Sequence, residues 1–174
     1  MSNQYQHGSL LLDPPQFEGT IHTLKEIDFE LAYLAVLTYK GLKPLSRWEQ
    51  ELADNDLELF HRIGLLTRQV RRSVRSGRKV IDTIFSRAPI YIQLYEQAFV
   101  NTPVDKSPRT QLFEGFFFGY PSCCVNEYIR KPFSPNNLNE QQQKILFHWA
   151  CRDCKVTPSL LPAYQSIHDS IELL

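Results

Sequence analysis

Four cysteines occupy the last third of this 174-residue chain, in two couplets. The first lies in Gly119-Tyr120-Pro121-Ser122-Cys123-Cys124-Val125, the second in His148-Trp149-Ala150-Cys151-Arg152-Asp153-Cys154. Thiolate and imidazole are the ligands that Zn²⁺ and iron–sulfur centres prefer, so His148, Cys151 and Cys154 are spaced to give three ligands to one ion and the double cysteine a fourth. Two other chemistries fit the same residues. A thiolate at a helix start can attack a disulfide while a neighbouring cysteine resolves it, and free cysteines also pack as small buried hydrophobes. Gly119 ends one helix and Pro121 or Ser122 begins the next, which places Cys123 and Cys124 in a first turn, where the positive helix end lowers a thiol pKa. Successive helical residues point about 100° apart. One cysteine of the pair is therefore expected to face the site and the other to pack, with the spacing not choosing between them.

A second group of residues suits anions. Arg62, Arg68, Arg71, Arg72, Arg75, Arg78 and Lys79 lie between Phe60 and Ile81 without an Asp or Glu among them, although the whole chain has a net charge of zero. Such a segment can hold a phosphorylated ligand or a nucleic-acid backbone through charge and the guanidinium fork, or it can simply solvate the outer face of a strand pair. The binding candidates are Arg68, Arg71, Arg72, Arg75, Arg78 and Lys79.

These groups need elements to position them. Met1 to about Thr20 reads as a poorly ordered lead-in, broken by Gly8, Pro14, Pro15 and Gly19, with a single globular domain over residues 21–174. Thr23 with Glu26 forms a capping box for one helix ending at Gly41, and Ser46 with Glu49 a second box for a short helix. Asp54 caps a further helix closing at Gly64. Leu66 to Val74 and Val80 to Phe85, joined by Ser76-Gly77, read as a β-hairpin that must lie on helices or pair with another strand. Pro89 to Val100 returns to helical spacing, and Ser107-Pro108 caps a helix through Phe118. Asn137 with Glu140 opens a helix carrying Ile145, Leu146 and Trp149 that puts His148 and Cys151 on one face. The last helix begins near Ser159 with Pro162 in its first turn. The Phe116-Phe117-Phe118 run is expected in the core, and Glu114 on a solvated helix face.

The Gly-Tyr-Pro-Ser-Cys-Cys-Val string, the upstream Gly41-Leu42-Lys43-Pro44 segment and the later His-x2-Cys-x2-Cys together resemble the largely archaeal family labelled DUF483, from about Leu31 onward. The resemblance implies no established activity. Ala150 stands where that family has a proline before the third cysteine, which bears on the shape of the preceding turn.

Composition sets the frame: 43% hydrophobic and 12% aromatic residues suffice for one buried core at this length. No apolar run approaches the roughly 20 residues of a membrane span, and the first residues lack a secretion signal. A cytoplasmic protein is expected, where paired cysteines favour metal or redox chemistry over permanent disulfides. Phosphate-cradling glycine loops are absent from the sequence. The expectation is thus a mostly helical α+β domain with a basic hairpin packed on helices, holding zinc or an iron–sulfur cluster or using its thiols for redox work. The alternative is an anion- or nucleic-acid-binding module with structural cysteines.

Overall fold

The computed structural model describes residues 16–74 and 76–174. Residues 1–15 of the expected lead-in, and Arg75, lie outside the described residues; Phe17 to Thr20, also expected in that lead-in, instead form the first turn of a helix because Phe17 and Thr20 are buried. Among these residues the fold is helical α+β, and three antiparallel strands separate two groups of helices. The elements run α1 (Phe17–Ile27), α2 (Phe29–Tyr39), β1 (Ser46–Trp48), α3 (Asp54–Arg62), β2 (Leu66–Ser73) and β3 (Lys79–Ser86). They continue with α4 (Pro89–Phe99), α5 (Pro108–Phe117), α6 (Ser122–Arg130), α7 (Glu140–Lys144) and α8 (Thr157–Glu172). No helix among the described residues is long and apolar enough to cross a membrane.

The hairpin forms as expected, with Gly77 at φ +82° in its turn. Its further strand is β1, giving the order β1-β3-β2. Ser46 therefore does not cap a helix. Its hydroxyl accepts from or donates to Thr38 Oγ1 at 2.7 Å while its backbone pairs with Phe85, so strand pairing overrides the local capping pattern. The first expected helix is two helices: Asp28 adopts an extended conformation and its carboxylate accepts from the amides of Glu30 and Leu31, capping α2. Thr23 lies inside α1, which starts at Phe17 because Phe17, Ile21 and Leu24 share one buried stripe.

Side-chain alternation divides the core between the two faces of the sheet. Phe85 faces α1, α2, α3 and α8, joining Leu31, Leu34, Phe60 and Tyr164. Ile84 and Val70 face α4 and α5, joining Leu45, Tyr95, Phe99 and Phe117. Gly115 lets α6 approach α5, since a Cβ there would lie 2.5 Å from Val125 Cγ2. Gly119, at φ +71°, turns the chain from α5 toward α6 and lies against the Leu42-Lys43-Pro44 segment, where a Cβ would be 2.8 Å from Pro44 Cδ.

The arginines do not form one face. Arg68 and Arg72 share the β2 face toward α4, and Arg71 points to the other. Arg68 pairs with Glu96 at 3.5 Å. Arg72 is fully buried, with Nη1 3.1 Å from Glu114 and 3.8 Å from Asp82, Nη2 donating to the Pro103 carbonyl, and its guanidinium over the Phe99 ring. Arg71, Arg78 and Lys79 are exposed. Glu114, expected on a solvated face, instead links Arg47 of β1 to Arg72 of β2. Phe117 and Phe118 are core residues, but Phe116 is 61% exposed.

Candidate metal centre

Both cysteine couplets meet at one point. Cys123 and Cys124 open α6, and the chain between α7 and α8 brings Cys151 and Cys154 to them. The sulfurs of Cys123 and Cys154 are 3.6 Å apart, of Cys124 and Cys151 3.7 Å, of Cys124 and Cys154 3.4 Å, and of Cys123 and Cys124 4.0 Å. All four lie within 4.8 Å of one another, and all are free thiols. The expectation that only one of the adjacent pair would face the site is thus corrected. The Cα–Cβ bonds do diverge along a helix, but each sulfur lies one rotatable bond further out, and both turn toward Cys154.

Helix α7 is shorter than the sequence suggested. Its cap is Asn139, in a capping box with Gln142, and the helix stops at Lys144. His148 and Cys151 therefore sit on irregular chain, which polar side chains hold in shape. Asn136 Nδ2 donates to the Ala150 carbonyl at 3.1 Å, Asn137 Nδ2 to the Arg152 carbonyl at 3.0 Å, and Gln143 Nε2 to the His148 carbonyl at 2.8 Å. The Ala150 amide donates to Gln143 Oε1 at 3.3 Å, a bond that proline at this position could not make.

Around the sulfurs stands a set of donors. The Cys151 amide donates to Cys124 Sγ at 3.3 Å and the Thr157 amide to Cys154 Sγ at 3.2 Å. Thr157, the first residue of α8, is fully buried, and its Oγ1 lies 3.2 Å from Cys154 Sγ and 3.5 Å from Cys124 Sγ. Helix α8 begins there, two residues before the expected start, so Pro162 is inside it and Pro158 takes the first-turn position. His148 is not one of the gathered ligands. Its Nε2 lies 3.0 Å from Thr157 Oγ1, and its ring packs on Tyr120 with centroids 5.2 Å apart. With a thiolate as acceptor, the Thr157 hydroxyl donates to sulfur and accepts from the Nε2–H tautomer of His148. Burial and the nearby Lys43 lower the His148 pKa to about 4, so the ring is neutral.

The thiol made more acidic is Cys154, and Cys124 in the first turn of α6 is made less so. Burial, the largest influence, raises Cys124 to about 11. At Cys154 burial also raises the pKa, but hydrogen bonds from the hydroxyl and amide of Thr157 outweigh it together with the other bonds to this sulfur, bringing the thiol to about 7. Cys151 is pushed up by burial and by the neighbouring sulfurs. Thr157 was the residue sequence reasoning missed. A Cys-x2-Thr placed just before a helix is the signal that would have found it.

Beside the cluster lies a cavity of about 820 Å³, whose lining includes Cys124, His148, Tyr120, Arg47 and Glu114. No family model, curated protein or solved structure matches this chain.

Proposed function

We propose that Cys123, Cys124, Cys151 and Cys154 together hold a single tetrahedral Zn²⁺ ion that fixes the start of α6 to the start of α8. The sulfur separations carry this reading. Four sulfurs at about 2.3 Å from one ion lie about 3.8 Å from each other in a tetrahedron; four of the six separations, at 3.4 to 4.0 Å, bracket that value, and all six are within 4.8 Å. Iron–sulfur clusters bind thiolates to different irons around a sulfide core and need wider spacing than this, so a mononuclear site fits better. Four protein sulfurs leave no open ligand position, which makes the role structural, with the cavity beside it as the place for a ligand. Amide and hydroxyl donors from Cys151 and Thr157 offset the charge that four thiolates leave on one divalent ion.

Elemental analysis of protein purified without added metal tests this directly: one zinc per chain is expected, with no visible absorption. Removing it with a chelator should lower the melting temperature by about 8–16 °C, the shift for the roughly 4 kcal/mol that an ion a thousandfold above its dissociation constant contributes. A second reading has its own observation, the acidic Cys154 thiol 3.4 Å from Cys124. Metal-free protein whose melting ignores chelator, but in which mild oxidant links these two residues, would favour redox chemistry instead.

A further inference from the structure

Lys43 is 2% exposed, and among the described residues its only hydrogen-bond acceptor is the Phe118 carbonyl, 3.1 Å from Nζ. The rest of its immediate surroundings are ring faces: Tyr120 at 4.6 Å, Phe147 at 5.1 Å and Phe118 at 5.5 Å. One acceptor cannot satisfy the three N–H groups of an ammonium, whereas a neutral amine needs two donors placed and keeps a lone pair free. The aromatic faces favour the cation, but they do not replace its lost hydration. This amine lines a second cavity of about 440 Å³, with Arg47, Glu30, Glu49 and Gln50 among the other lining groups.

We infer that Lys43 is an imine-forming amine, and that the cavity takes a small neutral hydroxy-aldehyde or hydroxy-ketone. Two observations select that class. Arg47, the other cation on the cavity, is already tied to Glu114, Glu49 and Tyr95, so no free cation awaits a substrate carboxylate. The exposed Glu30, Glu49 and Gln50 are instead acceptors for hydroxyl groups, and the rings of Phe118, Tyr120 and Phe147, which also line the cavity, give apolar surface for the carbon chain. In the reaction, the neutral amine adds to the carbonyl carbon. A C–N bond forms and one amine proton passes to oxygen. The C–O bond then breaks, and both amine hydrogens leave with that oxygen as one water, giving the imine. Glu30, whose pKa is raised by partial burial and by Asp28 and Glu49, lines the same cavity and is suited to carry the proton that the departing oxygen needs.

Burial, followed by the charge of Arg47, lowers the Lys43 pKa to about 7. The other charged groups bordering the cavity are Glu30 and Glu49, and the neutral His148 lies behind Tyr120. The inference does not depend on what the four sulfurs hold, and metal content is measured separately.

The test is reductive trapping. Intact protein at pH 7.5 is treated with glyceraldehyde or dihydroxyacetone and borohydride, which delivers hydride to the imine carbon, and the adduct is located by peptide mass mapping. Lys43 is one of eight lysines. It should be modified at least about tenfold faster than the exposed ones, because near neutrality a far larger fraction of it is unprotonated. Its rate should level off above pH 7, while theirs climbs toward pH 10. Pyruvate should label it less well. Lys43→Met should lose the adduct and keep its metal content. Labelling spread over exposed lysines with Lys43 unmodified, or a Lys43 rate still rising at pH 9, would overturn the inference, and stronger labelling by pyruvate would overturn the substrate class.

Discussion

At the scale of single residues, this fold places titratable groups where burial acts against their charge. Lys43 shows the consequence for stability. Its pKa falls from an ordinary 10.5 to about 7 on folding, so between these values the unfolded chain binds more protons than the native one. By linkage, stability rises with pH across that window, by up to about 1.4 kcal/mol per unit. Urea denaturation at a series of pH values should show this rise, and Lys43→Met should be more stable than the parent at pH 7 and lose the slope attributable to the amine. Thr157 is the other residue whose position matters beyond its type, since its amide and hydroxyl both serve the sulfurs. Thr157→Val keeps the shape and the amide but removes the hydroxyl. If the cysteines hold the proposed ion, its affinity should fall about 10–100-fold, the usual cost of losing an outer-shell partner, measured by chelator competition.

Between elements, two close approaches set the geometry. Helices α5 and α6 meet at Gly115 and Val125. Gly115→Ala should cost about 1–3 kcal/mol by overpacking, and pairing it with Val125→Ala should recover part of that loss, because the second change removes the atoms the new methyl meets. The sheet meets α5 through charge: Arg47 and Arg72 share Glu114, and Asp82, diagonal to Arg72 across the β2–β3 pair, lies 3.8 Å from its Nη1. Burial, the largest influence on Asp82, raises its pKa while Arg47 and Arg72 lower it. Arg72→Ala should therefore destabilise by about 3–5 kcal/mol, read by urea titration, because it strands the buried Asp82 carboxylate, while Glu114 keeps Arg47. Among the described residues the exposed candidates left to the anion-binding alternative are Arg71, Arg78 and Lys79, together with Arg68, which is exposed but paired to Glu96; the first three carry no such pair to a described carboxylate. Should the hairpin bind RNA, replacing these three would flatten the salt dependence of affinity without altering stability.

For the whole molecule, the sulfur cluster closes a long stretch of chain onto α6. The region from α7 to α8 carries both core residues, Ile145, Leu146 and Tyr164, and the irregular run 145–156. Tyr33 Oη lies 3.0 Å from the Ile145 carbonyl and 3.2 Å from the Tyr164 carbonyl, so its one hydroxyl proton is shared between α8 and the chain that follows α7. If the four cysteines hold the proposed ion, its removal should loosen the cysteine loop before it loosens the core. Hydrogen exchange checks this: the amides of Cys151 and Thr157, which donate to sulfur, should exchange at least about tenfold faster after chelation, with α2 and β3 unchanged.

Much of this was written locally in the chain. The hairpin was legible because its turn chemistry and strand composition agree, and α4 and α5 because proline at the helix start and apolar spacing point the same way. That the cysteines make a site followed from their types and couplet spacing. Elsewhere local signals lost to distant partners. Ser46 carries a capping pattern yet pairs with Phe85, 39 positions away by its number, since a buried backbone must find hydrogen bonds wherever the sheet offers them. Arg72 reads as an anion-binding residue until the strand register places it between Glu114 and Asp82. Nothing in the Gly41-Leu42-Lys43-Pro44 string marks Lys43 as buried, and the turn at Gly119 brings the rings of Phe118 and Tyr120 onto it. Sequence alone determined which residues have the chemistry. Which sulfurs converge, which thiol is acidic and which lysine is desolvated depend on contacts between segments far apart in the chain, and those the tertiary structure decided.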